Sequence, residues 1–108
     1  MKGYFKDFQI KEDIYRFVFT SHARKRMKSR KVKDREIMLS FERIDGITME
    51  GFIREGKEII IIDEEMGFSM VLDFKDALDK AEGKAIKLVT VIDKTEVFAK
   101  RGTDLVAV

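Results

Sequence analysis

Residues 34–62 read DREIMLSFERIDGITMEGFIREGKEIIII, and the period of the apolar side chains changes within this stretch. In its first part, four apolar residues recur at helical spacing: Ile37, Met38, Phe41 and Ile44. This spacing predicts a helix over 34–44, with Gly46 as its left-handed stop. After Gly46 the apolar residues alternate, as they do in strands. The change of period predicts that helices and strands occupy separate parts of the chain.

Strands are expected through most of the chain beyond Gly46. The first runs over 47–52, and a tight turn at Glu55-Gly56 leads to a second over 57–62, whose four consecutive isoleucines indicate burial on both faces. The pattern places further strands at 68–74, 85–92 and 95–99. The strand over 68–74 alternates apolar and polar residues, which is typical of half-buried strands.

The connections between these strands follow from turn residues and small apolar clusters. Residues 75–83 are interpreted as a loop with one helical turn, and Asp93-Lys94 as a hairpin turn that leads into the strand over 95–99. An apolar tail over 105–108 ends the chain.

The N-terminal part is expected to supply a strand and a further helix. Residues 1–13 show no clean period and are interpreted as an extended lead-in, whereas residues 14–19 are β-branched and aromatic, as strands prefer. Thr20 or Ser21 offers a side-chain oxygen that can cap a helix over 21–31. The chain is thus predicted to be a single α+β domain over residues 1–108. In it an N-terminal strand and two helices pack on one face of a mainly antiparallel sheet of four to five strands.

The composition excludes several classes of protein. The chain has no cysteine, which rules out disulfides, thiolate metal sites and a cysteine nucleophile, and its one histidine argues against a zinc site. The acids Asp63-Glu64-Glu65 suit a divalent ion but are interpreted as a surface turn. The longest apolar run, 59–62, is too short to span a bilayer. We therefore expect a cytoplasmic protein that needs neither metal nor cofactor and does not enter a membrane.

The formal net charge of +2 conceals an uneven distribution. Residues 24–35, the basic segment, hold eight Lys or Arg and one acid, a local charge of +7, so the rest of the chain sums to −5. Such a segment is typical of proteins that bind nucleic acid or another polyanion. It is equally typical of a solvated helix face that acids from elsewhere in the fold neutralise, and both interpretations stay open.

Three side chains on the helix predicted over 21–31 form one ridge, because His22, Arg26 and Arg30 are spaced four residues apart. They lie beside an apolar stripe of Ala23 and Met27. Arginine binds phosphate in a bidentate manner, and histidine exchanges protons near neutral pH. The ridge is therefore the candidate catalytic site. For His22 alone, a hydrogen bond to the backbone at the helix start is the competing, structural role.

The stretch His22-Ala23-x-x-Arg26-Met27-x-x-Arg30-x-Val32 resembles the hallmark of the DUF4258 family, His-Ala-x-x-Arg-Met-x-x-Arg-Gly-Ile leading to a short antiparallel sheet. The likeness covers about residues 14–93, and the helical stretch is its one sharp motif. Lys31 stands where the family has glycine, and Lys33 stands where a capping Ser or Thr is expected. Both differences add positive charge.

The DUF4258 family is similar in layout to the RelE/ParE toxins, whose better-known members cut mRNA, often on the ribosome, and are silenced by an antitoxin. The resemblance implies an RNA-interacting protein and makes a metal-independent endoribonuclease the leading hypothesis. In that hypothesis the 2′-OH of RNA attacks, His22 is the general acid or base, and Arg26 and Arg30 stabilise charge on the phosphate. RNA, the ribosome and an antitoxin-like protein are the implied partners.

Other cations are expected to add nucleic-acid contacts: Arg24, Lys25, Lys28, Lys31, Lys33, Lys94, Lys100 and Arg101. The alternative hypothesis is a non-enzymatic interaction module whose basic helix binds nucleic acid or an acidic protein, and a family member without activity also fits. The sheet face that carries Val71, Val89 and Val91, or the C-terminal strand, leaves a homodimer open.

Overall fold

The computed structural model describes residues 4–108, in which the chain forms six strands and three helices. In chain order they are β1 (Tyr4–Ile10), β2 (Asp13–Phe19), α1 (Ser21–Arg30), α2 (Asp34–Glu42), α3 (Gly46–Glu55), β3 (Glu58–Asp63), β4 (Phe68–Asp73), β5 (Ala85–Ile92) and β6 (Asp104–Ala107). The predicted α+β class is confirmed. The prediction of two helices and four to five strands was wrong, because it was too low for both.

All six strands belong to one sheet, in the order β1-β2-β5-β4-β3-β6. Three neighbouring pairs are antiparallel, whereas β2 with β5 and β3 with β6 are parallel. The sheet is therefore mixed: most of its strand pairs are antiparallel, as predicted, but two parallel pairs were not expected. Parallel pairs require crossover connections. The three helices lie within the connection from β2 to β5, and a long irregular segment joins β5 to β6.

The three helices cover one face of the sheet. Alternate residues of the central strands point into the core on that face: Phe17, Phe19, Ile59, Ile61, Met70, Leu72, Ile86 and Leu88. The helices meet them with their own buried side chains: Ala23, Met27, Ile37, Met38, Phe41, Met49, Phe52 and Ile53. Because strand side chains alternate between faces, the core receives every second residue along these strands. An irregularity in β5 between Leu88 and Thr90 shifts this alternation and brings Val91 into the core as well.

Helix α3 occupies the stretch where the sequence predicts a strand over 47–52. The Asp45 carboxylate accepts a hydrogen bond from the Thr48 backbone N–H (2.8 Å) and caps the helix start. Gly46 is the first residue of α3 and does not end α2, while Gly56 ends α3 in the left-handed conformation (φ 64°). The buried residues Met49, Phe52 and Ile53 have helical spacing. The strand prediction was wrong because so short an alternation fits both periods.

The segment 93–103 is irregular and crosses the sheet face opposite the helices. At the start of this segment the Ser69 hydroxyl, on that face, donates a hydrogen bond to the Lys94 carbonyl (2.6 Å). Because β6 lies at the far edge of the sheet, the chain must pass over β4 and β3 to reach it. The predicted hairpin strand over 95–99 was therefore wrong, and the apolar tail forms β6 instead.

This crossing changes the environment of β4. Ile60 and Val71 are paired across β3 and β4 on the face that the segment crosses, and both are buried. Ser69 is buried there too. The prediction of a half-buried strand was wrong, since β4 is buried on both faces. Val91, expected on this outer face, lies in the core instead.

Residues 4–10 form a regular strand, where an extended lead-in over 1–13 was expected; residues 1–3 lie outside the described part. The pairing of Ile10 with Asp13 leaves only two residues for the turn between β1 and β2. Phe8 packs against the core, and Phe5 on the other face lies under the Arg16 guanidinium (3.8 Å). The alternation in β1 was hidden because both faces of this edge strand carry aromatic residues.

Asp63, predicted to lie in an acidic surface turn, is fully buried at the end of β3. Its carboxylate accepts hydrogen bonds from the Ser40 hydroxyl (2.5 Å), the Arg43 guanidinium (3.2 Å) and the Met66 backbone N–H (3.0 Å). Burial of a carboxylate is tolerated only with such partners. Asp63 therefore ties α2 to the turn after β3, whereas its two acidic neighbours are exposed.

Candidate nucleic-acid interface

Helix α1 is attached to β5 at both of its ends. At the start, the Thr20 hydroxyl donates a hydrogen bond to the Leu88 carbonyl (2.7 Å) and accepts one from the Ala23 backbone N–H (3.2 Å). At the end, the Arg30 guanidinium contacts the Asp93 carboxylate just beyond β5 (2.6 Å). The predicted cap at Thr20 is confirmed. Because α1 is held along β5, its outer side chains are presented on a rigid support.

Only a narrow stripe of α1 is buried, at Ala23 and Met27. The remaining basic side chains of the helix point to solvent: Arg24, Lys25, Arg26 and Lys28 are exposed. Lys28 and Arg30 lie in the last turn, where positive charge interacts favourably with the helix dipole. The local sequence therefore forms a helix with one narrow buried stripe and a strongly basic outer surface.

The three residues predicted to be catalytic lie on α1 but differ in environment. His22 and Arg26 are exposed one turn apart, and within residues 4–108 neither side chain makes a hydrogen bond or ion pair. Arg30 is half-buried and engaged by Asp93. The ridge thus has two open groups and one anchored group. The start of α1 is capped by Thr20, so the helix does not need the His22 ring for that purpose.

The turn after α1 carries Lys31 and Lys33. Lys31 ends α1 in the left-handed conformation (φ 57°), and Lys33 is the N-cap residue of α2. The Lys33 side chain cannot accept a hydrogen bond, and the cap is completed from the other side, where the Glu36 carboxylate accepts one from the Lys33 N–H (2.9 Å). Both lysine side chains are exposed.

Cations without acidic partners are concentrated in the basic segment. Of the thirteen Lys and Arg of residues 4–108 outside it, seven pair with acids, as in Lys84 with Asp13 and Lys87 with Asp76, and these hydrogen bonds raise the pKa of both lysines. The other six are spread over residues 54–101. In the basic segment, Arg30 pairs with Asp93. Among the described residues, six of its cations form no ion pair: Lys25, Arg26, Lys28, Lys31, Lys33 and Arg35. The sequence left open whether acids neutralise this segment, and for these six they do not.

Two shallow depressions adjoin on the surface of α1. One, of about 350 Å³, is lined by Ser21, Arg24, Lys25 and Lys28. The other, of about 360 Å³, shares Arg24 and Lys28 and has Met27 and Val32 among its apolar walls. Neither includes His22 or Arg26. The basic surface therefore has shallow concavities beside Arg24, Lys25 and Lys28.

The other cations predicted to bind nucleic acid are distributed over two places. Lys94 follows Asp93, the partner of Arg30, and so lies near the C-terminal end of α1. Lys100 and Arg101 precede β6, at the opposite edge of the sheet from β1 and β2. The fold thus brings Lys94 close to the basic segment. Lys100 and Arg101 lie apart from that segment.

Within residues 4–108 no cluster of three or more His, Asp or Glu side chains is arranged to hold a metal ion. In the same range, no helix is long and apolar enough to cross a membrane. Comparison of the chain with models of protein families, with curated proteins and with solved structures found no match. The function is therefore inferred from the geometry of α1 and the turn after it.

Proposed function

We propose that the protein is an RNA-interacting protein of the RelE-like type and that it binds RNA through the basic segment on α1 and the turn after it. The observation that carries this proposal is the clustering, within residues 24–35, of six cations that form no ion pair with any acid of residues 4–108, whereas six others without such a pair are spread over residues 54–101. Each unpaired cation near a phosphate releases a counterion, which favours binding of polyanions.

The order of the elements also supports the proposal. The family resemblance predicts a basic helix, a second helix and then a short antiparallel sheet, and α1, α2 and the antiparallel strands β3, β4 and β5 follow in that order. The strand before α1 lies beside β5, so the helices and the strands form one unit. Helix α3 and β6 are additions to that layout.

The test is the salt dependence of RNA affinity. We expect the protein to bind a single-stranded oligoribonucleotide with an affinity that falls steeply as salt rises. Replacing Lys25, Lys28 and Lys31 by Gln should make the slope of log K against log [salt] shallower by about 2, because three phosphate contacts are lost at about 0.7 each. Both the RNA affinity and the salt slope can be measured by fluorescence anisotropy of a labelled oligonucleotide. The salt concentration is varied from about 50 to about 300 mM, which includes the physiological value of about 150 mM.

The matched control removes the same charge elsewhere. Arg54, Lys75 and Lys80 are exposed and lie outside the basic segment. Their triple replacement by Gln should leave the salt slope within experimental error of the wild type. If both triple variants lose the same slope, binding follows net charge alone and the proposed interface is wrong.

A second candidate function is metal-independent cleavage of RNA, which is favoured by the open pair of His22 and Arg26 one helical turn apart. In this function His22 moves a proton and Arg26 stabilises the phosphate. Purified protein should then cleave RNA in the presence of chelator, with or without ribosomes, and His22→Gln or Arg26→Ala should remove the activity at unchanged stability. RNA that stays intact in all these conditions, while still bound, assigns the protein to the non-enzymatic interaction modules.

The interaction-module alternative also includes an acidic protein as the ligand of the basic segment. A soluble polyglutamate and an RNA oligonucleotide of equal length distinguish the two ligand classes in the same anisotropy assay, used in competition. We expect RNA to displace the bound oligonucleotide at lower concentration, because arginine and lysine engage phosphate more strongly than isolated carboxylates in solution.

A further inference from the structure

The larger of the two depressions on α1, of about 360 Å³, lies beside that helix and the start of α2, and we call it the inter-helix pocket. Three apolar and three charged side chains line it: Phe19, Met27, Val32, Arg24, Lys28 and Asp34. Phe19 and Met27 are buried and Val32 is half-buried, so these three form an apolar floor. The volume lies at the lower end of the range of about 300–1,000 Å³ that is usual for ligand sites. The pocket thus combines an apolar floor with charged walls.

The acidic wall of this pocket is exceptional in its surroundings, because Asp34 is the one acid of the basic segment. Asp34 is the first residue of α2, and its carboxylate accepts a hydrogen bond from the Arg35 backbone N–H (2.9 Å) and lies 3.7 Å from the Lys6 ammonium. A carboxylate repels phosphate but accepts hydrogen bonds from N–H donors. This wall therefore fits a part of a nucleotide that carries donors, and not its phosphate.

The neighbouring depression has a different chemistry. It is lined by one hydroxyl and three cations: Ser21, Arg24, Lys25 and Lys28. Such a lining attracts phosphate, whereas an apolar floor beside a carboxylate fits a base, which has an apolar face and N–H groups on its edge. The two depressions meet at Arg24 and Lys28. One nucleotide can therefore place its phosphate in the cationic depression and its base in the inter-helix pocket.

We infer that the inter-helix pocket binds one unstacked base of a single-stranded RNA, and that Asp34 favours a base with an exocyclic amino group. This inference rests on the proposed function and deepens it by naming the class of RNA. An exocyclic amine donates a hydrogen bond to a carboxylate, as cytosine N4 does to acidic side chains. Uracil has a carbonyl oxygen at the same position, which cannot donate and leaves the carboxylate without that bond. Bases within a duplex are stacked and paired, so the pocket selects single strands.

The test compares two ligands that differ at one base. Both are oligouridines of about eight nucleotides, a length within the usual site size of about 4–16 for single strands, and one has cytosine in place of a central uracil. Their sugars are 2′-O-methylated, so no 2′-OH can attack and cleavage does not disturb the affinity. The wild type should bind the cytosine oligonucleotide about three- to tenfold more tightly, the factor that one net hydrogen bond contributes. Fluorescence anisotropy measures both affinities.

The first variant changes the proposed acceptor. Asp34→Asn introduces an amide, which both donates and accepts, so the two oligonucleotides should bind with equal affinity. Glu36→Gln is the matched control, because it removes one negative charge two residues further along α2. Its amide oxygen can still accept the hydrogen bond from the Lys33 N–H, which the Glu36 carboxylate accepts at 2.9 Å. Both variants should bind all polyanions somewhat more tightly, but only Glu36→Gln should keep the preference for cytosine.

The second variant fills the pocket without changing the charge. Val32→Phe adds volume to the half-buried Val32 side chain in the lining and should reduce the preference for cytosine to less than about twofold. The salt slope should stay that of the wild type, because the phosphate contacts are retained. Thermal unfolding checks that each variant folds. The Asp34 side chain is 38% exposed, so Asp34→Asn tests the inference even if phenylalanine at position 32 disrupts the packing.

The outcomes separate this inference from the proposed function. If the wild type binds neither oligonucleotide, the proposed function fails and the inference fails with it. Salt-dependent binding with equal affinity for the two oligonucleotides, or with uracil preferred, leaves the proposed function standing and refutes the base pocket. A preference for cytosine that persists in Asp34→Asn or in folded Val32→Phe also refutes it, because the base is then recognised elsewhere. Loss of the preference in Glu36→Gln refutes the specific role of Asp34.

Discussion

Two charged regions of this protein differ in whether neighbouring groups neutralise their charge. At the end of β3, the buried Asp63 carboxylate is surrounded by hydrogen-bond donors from α2 and the next turn. Along α1, the turn after it and the start of α2, most cations are exposed and six of them lack acidic partners within residues 4–108. Charge inside the fold must be neutralised by neighbouring groups, whereas charge in water needs no partner. The first region stabilises the fold, whereas the exposed cations of the second are accessible to a ligand.

The connection between α2 and β3 illustrates why the first region matters. Arg43 reaches both Asp63 (3.2 Å) and the exposed Glu65 (3.4 Å), so one guanidinium serves a buried and an exposed acid. Only the buried acid has further partners, namely the Ser40 hydroxyl and a backbone N–H. Asp63 and Glu65 therefore allow a buried and an exposed acid to be compared on the same arginine.

The largest expected effect comes from breaking the buried cluster. Asp63→Ala should lower the free energy of unfolding by about 2–4 kcal/mol, because it leaves the buried Ser40 hydroxyl without its acceptor and removes the buried acceptor of Arg43. Glu65→Ala removes an acid from the same arginine but from an exposed site, and should change stability by about 0.5 kcal/mol or less. Urea unfolding measures both, and equal losses would contradict the distinction between the two regions.

An intermediate effect is expected at the end of α1, where backbone conformation, and not charge, determines the change in stability. Lys31 is held in the left-handed region, so Lys31→Gly should raise stability by about 0.5–1 kcal/mol. Lys28→Gly removes the same charge from the helical backbone and should lower stability by about 1 kcal/mol. The two variants should therefore change stability in opposite directions, which thermal unfolding measures. Two changes of the same sign would show that charge dominates at both positions.

The smallest effect should come from the basic segment itself. The Lys25, Lys28 and Lys31 to Gln triple variant should differ from the wild type by only about 0.5 kcal/mol in unfolding free energy, since exposed cations without partners contribute little. Loss of the favourable dipole interaction of Lys28 and relief of repulsion among the cations act in opposite directions. A loss of several kcal/mol would instead mean that these lysines are part of the fold.

Local signals predicted much of the fold. The cap at Thr20 and the uninterrupted residues after it indicated α1, and strong periodicity or β-branched runs indicated α2, β2, β3, β4 and β5. The same signals placed His22, Arg26 and Arg30 on one helix. The prediction of α3 failed although two signals were present, the Asp45 cap and the helical spacing of Met49, Phe52 and Ile53. The short alternation over 47–52 competes with both of these signals.

Long-range pairing was beyond the reach of local patterns. Residues 95–99 have a strand-like alternation, yet residues 104–107 are the ones that pair, in parallel with β3. Both segments are compatible with extended backbone. Which of them joins the sheet depends on the open edge of β3 and on the chain's path across the opposite face, neither of which is written in a short window of sequence.

The sequence by itself determined the basic segment, the helix that carries it and the alignment of His22 with Arg26 and Arg30, because charge and helical spacing are properties of neighbouring residues. Only the tertiary structure decided which of these charges are neutralised. Arg30 meets Asp93 because α1 lies along β5, and Asp63 is buried because α2 packs over the end of β3. Such contacts join residues far apart in the chain, so the compact fold and not the local pattern selects which charges stay available to a ligand.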